Sequence, residues 1–361
     1  MSRTCVHLAL LAALCIAVSG VASPGFAGPD DGKSLVYLPA PASPASSTPC
    51  DRACLNGFVD KYFDALASHC TCNVPFAPNA KYTENGEPVK PGEGIWKTFT
   101  GRGTYRVYLA DPATGEAGYY GDINEFRGML LGTVALRLKV KDRRIAEVEM
   151  IVAREQLRPK GGLGLNTAGI MTPKMIDELR PNGFVSPVPA LLEPVPTAER
   201  ATREQLLAIK DQYFEAFAQN KGSVAPFADG CSRRENGFAA TNNPDGPVVD
   251  SAQPAFRVFS GSCAREIDRG FFSALSKVGD RRPLVVDVDQ GLVLDLAFLD
   301  NEGNVKSVSV SGVGDVKVPA EFLRPITFMQ PELFKIEAGK IREIEGLSWP
   351  MPYGMRSGWD K

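Results

Sequence analysis

An internal repeat limits what this chain can fold into more than any other feature of its sequence. A shift of 151 positions aligns residues 51–86 with residues 202–237 without a gap and gives 13 identities, where chance gives about two. One hydrophobic core rarely grows past about 250 to 300 residues, so a repeat in a chain of 361 residues predicts two tandem domains. The identical first-copy residues, each with its partner 151 positions later, are Arg52, Leu55, Asp60, Tyr62, Phe63, Ala65, Ala67, Pro75, Phe76, Ala77, Glu84, Asn85 and Gly86.

Each copy begins with a predicted amphipathic helix. Asp51 is the expected N-cap of the first helix, and Thr202 with Gln205 forms a capping box at the second. Apolar residues then recur at a spacing that puts them on one helical face, which we expect to pack on a core. These residues are Leu55, Phe58, Tyr62 and Leu66 in the first copy and Leu206, Ile209, Tyr213 and Phe217 in the second.

Long antiparallel strands are predicted after the Glu-Asn-Gly tripeptide of each copy, so the fold class is α+β. The second copy has about 45 extra residues between this tripeptide and its last hairpin. Turns are expected at 142–144, 300–304 and 338–339. The predicted strands cover 129–140 and 145–152 in the first copy, and 284–298, 305–310 and 334–347 in the second.

The N-terminal residues read as a targeting segment. Arg3, the apolar run 6–18 and the small residues that follow it predict a secretory signal peptide over 1–27. The apolar run is too short to span a bilayer, and residues 28–49, rich in Pro, Ala and Ser, are expected to be a disordered leader. We therefore expect a secreted or periplasmic protein with no membrane span.

The remaining chain divides into three parts. Domain 1 is expected over 50–155, and domain 2, which contains the insertion, over 198–361. The Pro- and Gly-rich segment 156–197 is predicted to be a linker or a lid, with one short helical piece at 173–179.

Six cysteines remain after the signal peptide, an even number in an oxidising compartment, which predicts disulfides. Cys231 and Cys263 are alone in the second half, so we expect them to pair with each other. The pairing of the other four stays open. A zinc site is disfavoured because a helix over 52–68 would hold the two pairs roughly 20 Å apart. Those four are Cys50, Cys54, Cys70 and Cys72.

Charge and histidine content exclude several function classes. The net charge is −2 with acids and bases interspersed, so no nucleic-acid partner is expected. His69 is the only histidine outside the signal peptide, which rules out a Ser-His-Asp site and a multi-histidine metal site. We expect neither a metal nor a cofactor.

Two short motifs carry a resemblance. Residues 76–84 read Phe-Ala-x-Asn-Ala-x-Tyr-x-Glu, and Gly92-x-Gly94-x-Trp96 follows as a further helical turn. This order, after a helix and before long strands, resembles the nuclear-transport-factor-2-like superfamily, which includes ketosteroid isomerase and polyketide-cyclase-like enzymes. The resemblance implies two tandem cone domains, each with helices packed on a curved antiparallel sheet around a cavity.

The resemblance also implies site residues. Glu84 falls on the catalytic carboxylate, and Tyr62 lies near the tyrosine that donates to the substrate oxygen. The isomerase's second carboxylic acid should lie on the strand before the last hairpin, where the first copy offers only Ala135. The candidate substrate-binding residues are Asn85, Tyr82, Trp96, Tyr213 and Glu235, the last two being the repeat partners of Tyr62 and Glu84.

Structural roles are the alternative for the same residues. Asn85 and Gly86 are typical of a hairpin turn, which would make Glu84 a solvated strand-end residue. Tyr62 would then be one more member of the helix core. In the second copy, the neighbouring Arg233 and Arg234 could hold Glu235 charged and passive through an ion pair, so the first copy is the expected catalytic one.

Three aspartates alternate along a predicted strand of the second copy. Asp287, Asp289 and Asp295 share one strand face, where they could line a polar pocket, bind a cation or form a solvated face. We expect the solvated face.

Two function hypotheses follow. In the first, the chain is a cofactor-independent lyase, dehydratase or isomerase that acts on a small, partly apolar carbonyl compound, with Glu84 as base and Tyr62 as hydrogen-bond donor. In the second, it is a secreted binding or scaffolding protein whose two cones pack sheet to sheet as an internal pseudo-dimer. The linker helix and the insertion could also cover the first cone. Sheet faces additionally offer a surface for dimerisation between chains.

Overall fold

The computed structural model describes residues 50–128, 130–154, 187–244, 248–249, 256–257, 259–318 and 320–359. These residues belong to one compact unit, Ala40–Lys361. The predicted signal peptide, the leader and the helical piece at 173–179 lie outside the described residues. Within the described part of the chain, no helix has the length and apolar character needed to cross a membrane.

The first copy is a helix on a six-stranded sheet. The sheet has the order β2-β1-β6-β5-β4-β3, and helix α1 begins at an Asp51 side chain that accepts a hydrogen bond from the Cys54 N–H, as predicted. Its elements are α1 (Arg52–Ala67), β1 (Phe76–Glu84), β2 (Glu87–Pro88), β3 (Phe99–Asp111), β4 (Glu116–Glu125), β5 (Leu130–Lys141) and β6 (Arg144–Ala153), with 3₁₀ helices at Thr71–Asn73 and Gly94–Lys97.

The second copy repeats this arrangement and adds elements. A short helix, α2 (Pro189–Leu192), leads to α3 (Arg203–Gln219), and the predicted capping box of Thr202 and Gln205 is confirmed. The sheet order is β11-β12-β15-β16-β7-β8, with β17 beside β15. The elements are β7 (Phe227–Glu235), β8 (Phe238–Ala239), β9 (Val248–Val249), β10 (Phe256–Arg257), α4 (Cys263–Asp268), β11 (Lys277–Asp287), β12 (Leu292–Asn301), β13 (Ser307–Val310), β14 (Gly314–Lys317), β15 (Ile326–Glu337), β16 (Lys340–Gly346) and β17 (Trp349–Met351), with 3₁₀ helices at Thr197–Glu199, Gly222–Val224, Phe271–Ala274 and Ala320–Phe322.

Three sequence-based expectations about the sheets need correction. Both sheets are mixed, since β1 is parallel to β6 and β7 is parallel to β16. The predicted strand at 284–298 is a hairpin of β11 and β12, because Gly291 turns the chain with a φ of +59° and has no room for a side chain. Strands β3 and β4 were not predicted at all, since Gly and charged residues interrupt their alternation.

The two sheets pack face to face, and the apolar core between them contains side chains from both copies. Each sheet thus buries part of one face against the other copy, and dimerisation between chains stays a prediction. The shared core contains Tyr105, Val107, Leu109, Tyr120, Ala135 and Ile151 from the first copy, and Leu284, Val285, Leu292, Leu294, Leu296, Met329, Leu333 and Leu347 from the second.

Reciprocal ion pairs join the copies at this interface. Arg52 forms a bidentate ion pair with the buried carboxylate of Asp287, with Nη1 to Oδ2 at 2.5 Å and Nη2 to Oδ1 at 2.6 Å. Asp287 Oδ2 also accepts the Ala110 N–H at 2.9 Å. The repeat partner of Arg52, Arg203, pairs in turn with Asp111 of the first copy at 2.5 Å. Each copy therefore contributes one arginine and one aspartate to the pairs across the interface, as in a dimer with two-fold symmetry.

The aspartates of the second copy do not form the solvated face that we expected. Asp287 and Asp295 have no solvent exposure, whereas Asp289 is exposed and contacts Arg200 at 2.8 Å. Asp295 lies 2.8 Å from the ammonium group of Lys210, which is itself buried. Burial without such a cation would cost several kcal/mol per carboxylate, which explains why both buried aspartates have one.

Three disulfides link the six cysteines of the described chain. Cys231 pairs with Cys263, which confirms the prediction and ties β7 to α4. The four cysteines that the sequence left open pair locally, Cys50 with Cys54 and Cys70 with Cys72. Such bonds are compatible with an extracellular or periplasmic protein.

Candidate functional site

The structure brings the candidate residues of the first copy together in a packed core. Tyr62 has no solvent exposure, and its hydroxyl donates to the Tyr82 hydroxyl at 2.9 Å. The Trp96 ring meets the Tyr62 ring edge-on, with 5.7 Å between centroids. Burial raises the pKa of Tyr62 well above its usual value, so the hydroxyl keeps its proton.

Glu84 is buried beside this cluster, with both carboxylate oxygens occupied. Oε1 accepts from Arg154 Nη2 at 2.8 Å, and Oε2 accepts the Ile95 backbone N–H at 2.8 Å. Glu84 is therefore not the solvated strand-end residue of the alternative interpretation. An ion pair and a backbone hydrogen bond thus supply one partner to each carboxylate oxygen. A substrate would have to displace one of these partners to reach it.

Asn85 has a structural role. With Gly86 it forms the predicted two-residue turn between β1 and β2, with φ values of +49° and +82°. Its side-chain amide accepts the Val152 N–H at 2.7 Å and donates to the Val152 carbonyl at 3.1 Å. Asn236 bonds the backbone of Ser348 in the same way. This pairing gives Asn85 a structural role, and its predicted substrate contact stays a prediction.

A cavity of about 100 Å³ lies in the second copy, between helix α3 and the sheet. Its wall is mostly apolar, and the insertion forms much of it through the 3₁₀ helix Phe271–Ala274 and the β13–β14 hairpin. The described part of the insertion therefore encloses a cavity of its own copy. The wall includes Phe214, Phe217, Phe271, Phe272, Ala274, Leu275, Leu299, Val308, Val318, Phe322 and Phe328.

Polar side chains form the floor of this cavity. Arg233 is central: it pairs closely with Glu235, donates through Nε to the Tyr213 hydroxyl at 2.9 Å, and lies 3.3 Å from Glu332 Oε1. Gln330 donates to Glu235 at 2.9 Å and to Glu332 at 3.1 Å. All five side chains line the cavity. Of the two arginines expected to pair with Glu235, Arg233 forms the ion pair, whereas Arg234 pairs with Glu345.

Glu332 differs from the other floor residues in two ways. Its Oε2 atom is buried and has no hydrogen-bond partner among the described residues. Burial raises the pKa of Glu332 to about 7; Arg233 lowers it, and the charge of Glu235 raises it. Near neutral pH this carboxyl group therefore exchanges a proton readily.

Two substitutions between the repeats explain why the second copy has this polar floor. Glu235 lies beside Gly346 and Glu332 on successive strands, whereas Glu84 lies beside Met150 and Leu136. Both of those side chains are fully buried, so they fill the corresponding part of the first copy. A side chain at position 346 would collide with the Glu235 and Glu332 oxygens, because both lie within 3.0 Å of where its β-carbon would be.

The sequence analysis missed Glu332 although a signal was present. The resemblance implies a second carboxylic acid on the strand before the last hairpin, and in the first copy Ala135 lies there. In the second copy this strand is β15, where Glu332 and Gln330 point to one face by alternation. The predicted site residues Tyr213 and Glu235 do line the cavity, although the first copy was the expected catalytic one.

The chain belongs to a protein family. A family model described as "Domain of unknown function (DUF8021)" matches it twice, at residues 49–152 and 199–348. The two matches fall on the two copies, in agreement with the two-domain architecture. No curated protein matches the chain.

Proposed function

We propose that this is a secreted ligand-binding protein whose second copy binds a small, partly apolar molecule and whose first copy is a scaffold. The observation that carries the proposal is the unpartnered, buried Oε2 atom of Glu332 at the floor of an apolar cavity. Buried polar atoms in proteins nearly always have a partner. A ligand with one polar end would supply that partner, while its apolar body packs against the phenylalanines of the wall.

We further propose that both copies have the nuclear-transport-factor-2-like cone fold. In each copy a long first helix packs on a mixed sheet of the same strand order. In the second copy, helix α3 contributes Tyr213, Phe214 and Phe217 to the cavity wall, as a helix that closes a cone would. Comparison of an experimental structure with known cone folds tests this proposal.

Acetophenone is a suitable probe because it joins an apolar ring to one carbonyl acceptor. We expect calorimetry at pH 6, where the Glu332 carboxyl is mostly protonated, to detect binding to the mature chain. Ala274→Phe fills the cavity and should abolish binding. Ala113→Phe, at an exposed turn of the first copy, is the control and should bind as the wild type does. Equal binding by both variants would sink the proposal.

A second candidate function is proton transfer next to a carbonyl group, and the pKa of Glu332, about 7, favours it. In this scheme Glu332 takes a proton from the carbon beside the carbonyl, and the electron pair of the broken C–H bond moves onto the carbonyl oxygen as an enolate. The Tyr213 hydroxyl, which donates to Glu332 Oε1 at 3.2 Å in the structure, would turn its hydrogen from that atom to the enolate oxygen and donate to it. The proton then returns to carbon, so the reaction needs no cofactor.

Deuterium exchange distinguishes the candidates. In D₂O, catalysis replaces the methyl protons of acetophenone with deuterium, which NMR detects, whereas binding alone does not. If the second copy is catalytic, Glu332→Gln should stop the exchange and Glu84→Gln should not. The opposite pattern, with loss in Glu84→Gln and Tyr62→Phe, would support the first copy as the active one. If exchange is no faster than in buffer, the catalytic candidate is excluded and only the binding proposal remains.

A further inference from the structure

The charge distribution of the cavity points to one class of ligand. Four charged residues line it: Arg233, Glu235, Glu332 and Lys317. Three of them are buried at the floor and are bonded to one another. Lys317 differs because it is solvent-exposed, on strand β14 of the insertion.

Lys317 has no acidic partner among the side chains that the structure describes. The Arg233 guanidinium, by contrast, already has two carboxylates within 3.3 Å. At the floor, an anionic group of a ligand would find the Arg233 charge already offset by its carboxylate partners, whereas the ammonium group at the wall would attract it. The exposed position of Lys317 also lets such a group stay hydrated, which avoids the cost of burying a charge.

We infer that the ligand is an amphipathic carboxylate, with a hydrogen-bonding group at its inner end, an apolar body along the phenylalanine wall and its carboxylate beside Lys317. This inference rests on the proposed binding function and adds the chemical class of the ligand. The attraction at an exposed site is modest, about 0.2–1 kcal/mol. Lys317 would then select between ligands of equal shape and would add little to overall affinity.

A matched pair of probes tests the inference. The probes are 1,4-diacetylbenzene and 4-acetylbenzoate. The second has a carboxylate oxygen where the first has the methyl group of one acetyl substituent, so the two have nearly the same shape but differ in charge. We expect the wild-type chain to bind 4-acetylbenzoate about 2- to 5-fold more tightly at pH 6 and low salt. Lys317→Gln should remove this preference. Lys306→Gln, an exposed lysine just before β13 that does not line the cavity, should keep it.

The outcomes separate the inference from the function on which it rests. If both probes bind the wild type equally, or if Lys317→Gln keeps the preference, the carboxylate assignment is overturned while the binding function stands. If neither probe nor acetophenone binds the wild type, both proposals fail. A preference that disappears in Lys317→Gln and at high salt, with unchanged binding of 1,4-diacetylbenzene, supports the inference.

Discussion

The hydroxyl of Tyr120, in the first copy, donates a hydrogen bond of 3.0 Å to the carbonyl oxygen of Gly346, in the second copy. Gly346 lies directly beside the Glu235 and Glu332 oxygens at the floor of the cavity. A side chain of the first copy thus holds the strand that carries the floor of the second. This contact gives the scaffold role of the first copy a physical basis.

Removal of this hydroxyl should therefore affect both stability and binding. In Tyr120→Phe the Gly346 carbonyl loses one of its two donors and keeps the Asn236 N–H at 2.8 Å, so we expect the free energy of unfolding to fall by about 1 kcal/mol. Acetophenone should also bind several-fold more weakly, because strand β16 is held less firmly. Urea denaturation and calorimetry measure the two effects. Tyr353→Phe, at an exposed tyrosine, is the control, and a Tyr120→Phe chain that behaves like this control would contradict the scaffold role.

The reciprocal ion pairs predict a clear difference between two neighbouring aspartates. Asp287→Asn removes the buried charge that Arg52 and the Ala110 N–H contact, so the free energy of unfolding should fall by about 2 kcal/mol. Asp289→Asn removes only exposed contacts and should cost less than about 1 kcal/mol. Equal effects in urea denaturation would show that the buried pair does not join the copies.

Asp295 predicts a pH dependence of stability. Burial, opposed by Lys210, raises the pKa of Asp295 from 3.8 to about 6. The folded state then binds the proton more tightly than the unfolded state does. The stabilisation that the protonated Asp295 contributes to the fold is therefore lost as the pH rises from 4 to 6. The loss amounts to about 3 kcal/mol. Asp295→Asn lacks this loss, so its free energy of unfolding relative to wild type should rise by most of that amount from pH 4 to pH 7.

The exposed neighbour Asp211, which also contacts Lys210, provides the control for this measurement. Asp211→Asn leaves the buried carboxyl in place, so its stability should follow the wild-type pH profile. If the free energy of unfolding of Asp295→Asn changes with pH in parallel with that of the wild type, the Asp295 carboxyl of the folded state does not titrate between pH 4 and pH 7.

The Cys231–Cys263 disulfide should stabilise the wall of the cavity. It closes a loop with a sequence separation of 32 and anchors α4, just before the 3₁₀ helix that carries Phe271 and Phe272. Its loss in Cys231→Ser/Cys263→Ser should cost about 3–4 kcal/mol and weaken acetophenone binding. The Cys50–Cys54 bond spans only four positions in the first copy, so its removal should leave binding unchanged. Equal losses of binding would contradict this role.

The sequence predicted local structure better than it predicted the site. Helix caps and the Asn85–Gly86 turn depend on residues close together in the chain, and the structure confirms them. Whether Glu84 or Glu235 adjoins a cavity depends on residues more than 50 positions away, Met150 and Leu136 in one copy and Gly346 and Glu332 in the other. The repeat aligns these two glutamates and so predicts equivalent positions for them, but the residues beside them on the neighbouring strands differ.

Buried charge was the other source of error. The alternation of Asp287 and Asp295 on their strands suggested a solvated face, as it would on a sheet with one exposed side. The second copy covers that face with α3 and with the first copy, and Lys210 and Arg52 lie on those covering elements. Only the packing of distant segments reveals such pairs.

A crystal structure of the mature chain with bound acetophenone tests the central claim most directly. The account predicts a molecule in the second copy, with its ring against Phe217 and Phe272 and its carbonyl oxygen within hydrogen-bond distance of Glu332 or Tyr213. A molecule bound beside Tyr62 and Glu84 instead, or a cavity filled by protein side chains, would contradict it.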